Sequence, residues 1–104
     1  VRVPTANVSM VDLTFSSKTK TNAENVNDVV RKAAHDEKLR KVLSYTDEKL
    51  VSSDFYHNPY SSIFHTDQTF VTSSNLVRVL SWYDNEWGFS NRMSDTAVEI
   101  GKYI

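Results

Sequence analysis

The chain begins with an alternation of apolar and polar residues that is typical of a β-strand. Within residues 8–15, Val11, Leu13 and Phe15 share one face, while Asp12 lies on the other. Because successive side chains of a strand point to opposite sides, this alternation predicts a strand with one apolar face.

A helical periodicity follows a short polar connection. Thr21 and Glu24 have the spacing of a capping box, in which each side chain satisfies a free backbone amide at a helix start. The apolar residues that follow recur at helical spacing: Val26, Val29, Val30, Ala33 and Ala34. We therefore predict a helix that begins near Thr21, and a second short helical piece over residues 39–43.

The middle of the chain has the composition of short strands separated by turns. Residues 50–55 and 61–66 are predicted as strands, and the Asn58-Pro59 pair between them is a turn signal. Residues 69–72 are β-prone as well. Clustered short strands of this kind indicate a sheet rather than a helical bundle.

The strongest strand candidate is residues 76–83, which are apolar on both faces except at Arg78 and Ser81. A run of this kind is typical of a central strand that is covered on both sides. After a turn, residues 89–104 are predicted as a final helix, with apolar positions at Met93, Ala97, Ile100 and Ile104. The order of elements predicts an α+β fold, with a mainly antiparallel sheet flanked by helices.

Length and charge narrow the class of protein. The 104 residues suit one domain, residues 1–104, without a linker or repeat that would divide it. Twelve basic and thirteen acidic residues give a net charge of −1, which argues against a nucleic-acid partner. The apolar runs are too short to span a membrane.

The chain opens on Val1-Arg2-Val3-Pro4 without Met, so we expect a piece of a longer protein, with a processed mature chain as the alternative.

The sequence lacks the residues that nucleophilic catalysis, a phosphate-binding loop or a metal site would need. The chain has no cysteine, which excludes a thiolate nucleophile, and its two glycines cannot form a glycine-rich phosphate loop. His57 and His65 lack an evident third ligand for a metal. Ser52-Ser53-Asp54 with His57 has the residue types of a catalytic triad but not the strand–turn–helix context of a nucleophile. We therefore expect no catalytic residue and no metal ligand in this chain.

Two clusters carry candidate binding chemistry. Arg2 precedes a stiff Val3-Pro4 pair, and a guanidinium on a rigid backbone can bind a phosphate through two parallel hydrogen bonds. Residues 81–92 are dense in aromatic and amide side chains, which can pack on a planar heterocycle and pair with another amide. From physical chemistry alone, a purely structural turn with Asp84 as a helix cap is the favoured interpretation of the second cluster.

At these clusters the chain resembles the phosphorylating glyceraldehyde-3-phosphate dehydrogenases. The matching blocks run in order along nearly the whole chain, and the residues around Asn85 are the most specific. They are Arg2-Val3-Pro4-Thr5-Ala6-Asn7-Val8-Ser9, Val11-Asp12-Leu13, Tyr45-Thr46, Val51-Ser52-Ser53-Asp54-Phe55, Ser61-Ser62 and residues 81–92.

The resemblance implies that residues 1–104 are the C-terminal portion of the catalytic domain of a cytoplasmic glycolytic enzyme. Such an enzyme uses NAD to oxidise glyceraldehyde 3-phosphate to a cysteine thioester, which inorganic phosphate then cleaves. Its cysteine and histidine are expected upstream of Val1, so the chain alone is expected to be inactive. The resemblance also implies a homotetramer, and a C-terminal helix (residues 89–104) that packs on a Rossmann domain absent from this chain.

The resemblance assigns binding roles to a few residues. Arg2 matches the arginine that binds the substrate phosphate, and Asn85 matches the asparagine that holds the nicotinamide carboxamide of NAD. Phe89 stands at the position of an aromatic residue near the nicotinamide, where many members have Tyr. Two alternatives stay open: an erythrose-4-phosphate dehydrogenase, and a structural or binding module without enzymatic activity.

Overall fold

The computed structural model describes residues 2–104, and Val1 lies outside the described residues. It shows an α+β fold, which confirms the predicted class. The strands and helices are β1 (Ser9–Ser16), α1 (Ala23–His35), β2 (Leu43–Thr46), β3 (Ser62–His65), β4 (Phe70–Thr72), β5 (Leu76–Tyr83) and α2 (Trp87–Gly101).

The five strands form one sheet in the order β1-β5-β3-β2, with β4 also paired to β5. As predicted, β5 is central: it runs antiparallel to β1 over its whole length, from Ser9 opposite Tyr83 to Ser16 opposite Leu76. It is also antiparallel to β3 and β4. The sheet is mainly antiparallel, as predicted, and its one parallel pairing among the described residues joins β2 and β3. Residues 47–61 allow this pairing, since parallel strands need a long crossover connection.

One cluster of buried apolar side chains fixes a loop to the sheet. Val8, Phe55 and Ile63 are buried together, and Trp82 packs against them. The rings of Phe55 and Trp82 stack with centroids 5.3 Å apart. Because burial of each such side chain is worth about 1.5–3 kcal/mol, this cluster fixes the loop that contains Phe55 onto the sheet.

Helix α1 begins one residue later than the capping-box spacing predicts. Asn22 is the N-cap, and its Oδ1 accepts a hydrogen bond from the backbone N–H of Asn25 at 2.9 Å. Thr21 instead donates its hydroxyl to the carbonyl of Asn22. Asn is a better N-cap than Thr, which favours the start one residue later.

A buried asparagine anchors α1 to the sheet. Asn27 donates its Nδ2 to the carbonyl of Thr66 at 3.1 Å, and its Oδ1 accepts from the Thr69 hydroxyl at 2.7 Å. Both partners lie in the segment between β3 and β4. The amide of Asn27 is thereby satisfied on its donor and its acceptor side, as a buried amide requires.

Two predictions for the middle of the chain are wrong, and two are confirmed. Residues 36–42 form hydrogen-bonded turns rather than a helix, and Leu43 begins β2, a strand that the sequence did not predict. Residues 50–55 are not a strand; a short 3₁₀ helix (Ser52–Phe55) occurs there. Its Asp54 carboxylate accepts from the N–H of Val51 at 2.8 Å, and such local bonds compete with strand pairing. The strands predicted at residues 61–66 and 69–72 are confirmed as β3 and β4.

Helix α2 begins at Trp87, two residues before the predicted start, and ends at Gly101. Its first turn approaches the loop before β3 closely, since a Cβ added at Gly88 would lie 3.1 Å from the carbonyl oxygen of Tyr60. The apolar positions Met93, Ala97 and Ile100 are exposed. Within residues 2–104, neither helix is both long enough and apolar enough to cross a membrane.

The apolar face predicted for the first strand is present but not covered within residues 2–104. Val11, Leu13 and Phe15 keep 49%, 50% and 41% of their surface exposed. On the opposite face, Asp12 forms a two-fold ion pair with Arg78 of β5, with both N–O distances at 2.8 Å. The polar face of β1 is therefore tied to the central strand, while its apolar face stays open.

Candidate functional site: a cleft where β1 begins and β5 ends

A cleft of about 510 Å³ lies at the end of the sheet where β1 begins and β5 ends. Three segments line it: residues 2–10, residues 50–52, and the end of β5 with the turn after it. Its volume falls within the range of roughly 300–1,000 Å³ that is typical of small-molecule sites. The cleft is therefore large enough for part of a cofactor or a sugar phosphate.

The structure brings Arg2 and Asn85, the two main site residues from the sequence, to this same cleft. They are far apart in the chain, and the pairing of β1 with β5 brings their segments together. Phe89 does not line the cleft; it lies in the first turns of α2 and is 66% exposed. Glu86 does line the cleft, next to Asn85.

Asp84 is a buried residue beside the cleft, and it connects a cleft-lining segment to two others. Its carboxylate is 2% exposed and accepts three hydrogen bonds. The side chain of Asn7 donates at 2.9 Å, the backbone N–H of His57 at 3.0 Å and the backbone N–H of Trp87 at 3.1 Å. These donors come from the loop before β1, the loop before β3 and the start of α2. One carboxylate thus connects three segments of the chain.

The charge of Asp84 is stabilised by its donors. Burial acts to raise the pKa of the carboxyl, but the hydrogen bonds from His57, Trp87 and Asn7 together outweigh it, so the pKa of Asp84 lies below its ordinary value of 3.8. Asp84 is therefore ionised at neutral pH, with its oxygens occupied by protein donors. It supports the cleft rather than binding a ligand, and the helix cap considered from the sequence is one of its three contacts.

A second contact links the same two segments one residue further along the turn. The Nδ2 of Asn85 donates to the hydroxyl of Ser9 at 2.5 Å. Between Asn7 and Ser9, the buried Val8 has a φ of 73°, a left-handed conformation that β-branched residues rarely adopt. Neither the positive φ of Val8 nor these long-range contacts leaves a local pattern in the sequence, so the roles of residues 7–9 could not be predicted from it.

The histidines do not gather at the cleft. His57 stacks its ring on Trp87 with centroids 4.2 Å apart. His65 is buried and accepts from the indole N–H of Trp82 at 3.1 Å. In the part of the chain that the structure describes, no group of three or more His, Asp or Glu side chains could hold a metal ion.

The fold and the cleft define an α+β domain with a ligand-sized site lined by an arginine and an amide. Residues 1–85 match the family model described as "Glyceraldehyde 3-phosphate dehydrogenase, C-terminal domain". The chain belongs to this family.

Relatives named glyceraldehyde-3-phosphate dehydrogenase match nearly the whole chain. The protein from Xanthobacter flavus is 59% identical over 102 residues, which cover 98% of this chain and 30% of that protein. The one from Cereibacter sphaeroides is 56% identical over 100% of this chain and 31% of its own length. The one from Mastigamoeba balamuthi is 52% identical over 90% of this chain and 27% of its own length. The chain thus spans less than a third of the length of these relatives.

Proposed function

We propose that this chain is part of the catalytic domain of a glycolytic, phosphorylating glyceraldehyde-3-phosphate dehydrogenase and contributes one wall of its active site. The observation that carries the proposal is the cleft that Arg2 and Asn85 both line. Those residues suit two different parts of one reaction: a phosphate on the substrate and a carboxamide on NAD. The names of the similar proteins support the same activity.

Arg2 suits the phosphate of glyceraldehyde 3-phosphate. Its guanidinium carries five N–H donors in a planar fork that matches phosphate oxygens. Among the ion pairs formed within residues 2–104, none involves Arg2, so its donors remain available to a ligand. Pro4 limits the backbone freedom of the segment, which lowers the entropy cost of holding the guanidinium in place.

Asn85 suits the carboxamide of the nicotinamide ring. One N–H of its amide is directed at Ser9, which leaves the carbonyl oxygen and the second N–H for a ligand. A carboxamide offers the complementary pair, a donor and an acceptor. In the complete protein we expect the exposed ring of Phe89 to lie near the nicotinamide, where it supplies an apolar surface without the hydroxyl of a tyrosine.

The bond-making residues of the proposed reaction come from outside these 104 residues. A cysteine thiolate attacks the aldehyde carbon to form a thiohemiacetal, and a histidine takes up its hydroxyl proton as hydride leaves for the nicotinamide. This oxidation gives the thioester, from which inorganic phosphate displaces the thiolate to form 1,3-bisphosphoglycerate. NAD supplies the acceptor for the hydride. The chain contains no cysteine, so we place that nucleophile in the remainder of the parent protein, together with the NAD-binding domain. We further propose that the parent is a homotetramer.

The test uses the full-length protein and compares Arg2→Ala with the parent. We expect kcat/KM for glyceraldehyde 3-phosphate to fall by about 1.5–3 kcal/mol, or roughly 10- to 150-fold, because a charge-assisted contact to the phosphate is lost. The loss should disappear with unphosphorylated glyceraldehyde. Arg40→Ala, which removes an exposed arginine away from the cleft, is the matched control and should leave kcat/KM unchanged.

Three results would contradict the proposal. An unchanged kcat/KM in Arg2→Ala would mean that Arg2 does not contact the phosphate. A preference of the full-length protein for erythrose 4-phosphate would replace the substrate. Reduction of NAD by the purified 104-residue chain would show that the nucleophile need not come from elsewhere.

A further inference from the structure

Two side chains on either side of Val8 bind two consecutive residues of the turn after β5. Asn7 donates to Asp84 at 2.9 Å, and Ser9 accepts from Asn85 at 2.5 Å. The residue between them, Val8, has a φ of 73°. The four polar residues form a two-pronged clamp, Asn7–Asp84 and Ser9–Asn85, across the base of the cleft.

The left-handed conformation of Val8 makes the clamp possible. It turns the chain between the two polar residues, so that Asn7 reaches Asp84 while Ser9 begins the strand ladder opposite Tyr83. This conformation is unfavourable for a β-branched residue and persists only where the surroundings determine it. Here Val8 is buried against Phe55 and Ile63, and both of its neighbours in the chain are hydrogen-bonded.

We propose that Ser9 is a positioning residue that holds the amide of Asn85 ready for its ligand. This inference rests on the proposed function, in which that ligand is the nicotinamide carboxamide. Asn85 is exposed, and an exposed asparagine side chain otherwise exchanges among several rotamers. The hydrogen bond to Ser9 selects one of them before the cofactor arrives, which reduces the ordering cost of binding.

The positioning of Asn85 by Ser9 should influence only the binding of the nicotinamide end of NAD. Arg2 lines the same cleft but no hydrogen bond connects its side chain to Ser9, so the phosphate of the aldehyde substrate is bound independently. The Asp84 prong is also separate, because Asp84 receives its third donor from Asn7 and not from Ser9. Removal of the Ser9 hydroxyl therefore acts on the amide of Asn85, while the Asn7–Asp84 hydrogen bond and the burial of Val8 keep the segment in place.

The experiment measures NAD binding by the full-length protein carrying Ser9→Ala, Asn85→Ala or both. We expect Ser9→Ala to raise the Kd and KM for NAD about three- to tenfold, the effect of one modest hydrogen bond. The KM for glyceraldehyde 3-phosphate, the Tm and the Kd for ADP-ribose, which lacks the nicotinamide, should stay unchanged. The double variant should bind NAD no more weakly than Asn85→Ala alone.

Two controls separate positioning from a structural role. Ser9→Thr keeps the hydroxyl and should restore NAD binding to within about twofold of the parent. Ser16→Ala makes the same substitution at the far end of β1, away from the cleft, and should change nothing.

The outcomes that overturn the inference are distinct from those that overturn the proposed function. If Asn85→Ala weakens NAD binding but Ser9→Ala does not, Ser9 does not position the amide and the proposed function stands. Additive effects of the two substitutions, or equal weakening of ADP-ribose binding, overturn the positioning role as well. If Asn85→Ala leaves NAD binding unchanged, the proposed role of Asn85 fails, and the inference fails with it.

Discussion

The carboxylate of Asp84 offers a direct test of how the cleft is held together. Asp84→Asn keeps the shape of the side chain but replaces one acceptor oxygen with an NH₂ group. The Oδ2 of Asp84 accepts from both Asn7 and His57, while Oδ1 accepts from Trp87. Whichever way the new amide turns, its NH₂ group faces at least one of these N–H donors. The substitution therefore leaves a buried donor without an acceptor.

The size of the effect follows from burial. A hydrogen bond to a charged acceptor contributes about 1.5–3 kcal/mol, and an unsatisfied buried donor costs a similar amount. Since Asp84 is almost fully buried, we expect Asp84→Asn to destabilise the protein by about 2–4 kcal/mol. Asp54→Asn is the matched control, because Asp54 is exposed and its carboxylate accepts a local hydrogen bond from the N–H of Val51. We expect this substitution to cost less than about 1 kcal/mol.

Denaturant unfolding and amide hydrogen exchange of the full-length protein would measure both variants. In Asp84→Asn the backbone amides of His57 and Trp87 should exchange faster, because they lose a charged acceptor. The same amides should keep their protection in Asp54→Asn. If the two variants are equally stable and equally protected, Asp84 does not connect the three segments.

The effect has a defined pH dependence. The folded pKa of Asp84 lies below its ordinary value of 3.8, so its ionised form contributes stability that is complete above that pH. The contribution declines as the pH falls from 3.8 through the lowered pKa of the folded state. Asp84→Asn should remove this part of the acid sensitivity, and an unaltered acid transition would refute the assignment.

Two further predictions concern the support of the sheet. Asn27→Ala should lower the free energy of unfolding, measured in denaturant, by about 2–3 kcal/mol, because the Thr69 hydroxyl and the Thr66 carbonyl both lose a buried partner. The control Asn25→Ala removes an exposed side chain and should change the free energy of unfolding by less than about 0.5 kcal/mol. An equal effect of the two substitutions would argue against the anchoring role of Asn27. The hydrogen bonds from Arg78 lower the pKa of Asp12, so in Arg78→Gln this pKa should rise toward its ordinary value of 3.8. An NMR titration would measure the change, and a constant pKa would show that the ion pair does not form in solution.

Local patterns of apolar and polar residues in the sequence predicted the two longest strands and the first helix. The apolar run of residues 76–83 and the alternation of residues 8–15 became the two longest strands, β5 and β1. The helical periodicity after Thr21 became α1. These signals succeed because the side-chain period of a strand or helix is a property of the backbone itself.

Elements whose form depends on distant partners were missed. β2 has only four residues, and its strand character comes from pairing with β3, nearly twenty positions further along the chain. Residues 50–55 have β-prone composition but form a 3₁₀ helix, because Phe55 is buried beneath Trp82 and Asp54 bonds to a nearby amide. Propensity is a weak guide wherever tertiary contacts outweigh it.

Some features of the candidate site were predicted from the sequence, and others were set only by the tertiary structure. The resemblance to the dehydrogenases pointed to Arg2 and Asn85 from the sequence alone, each with a chemistry that its side-chain type permits. Their common cleft, the buried Asp84 and the clamp through Ser9 were decided by the tertiary structure, since Ser9 and Asn85 are 76 positions apart. The antiparallel pairing of β1 with β5 sets Ser9 opposite Tyr83, and hydrogen bonds between segments so distant in the chain exist only once those strands have paired.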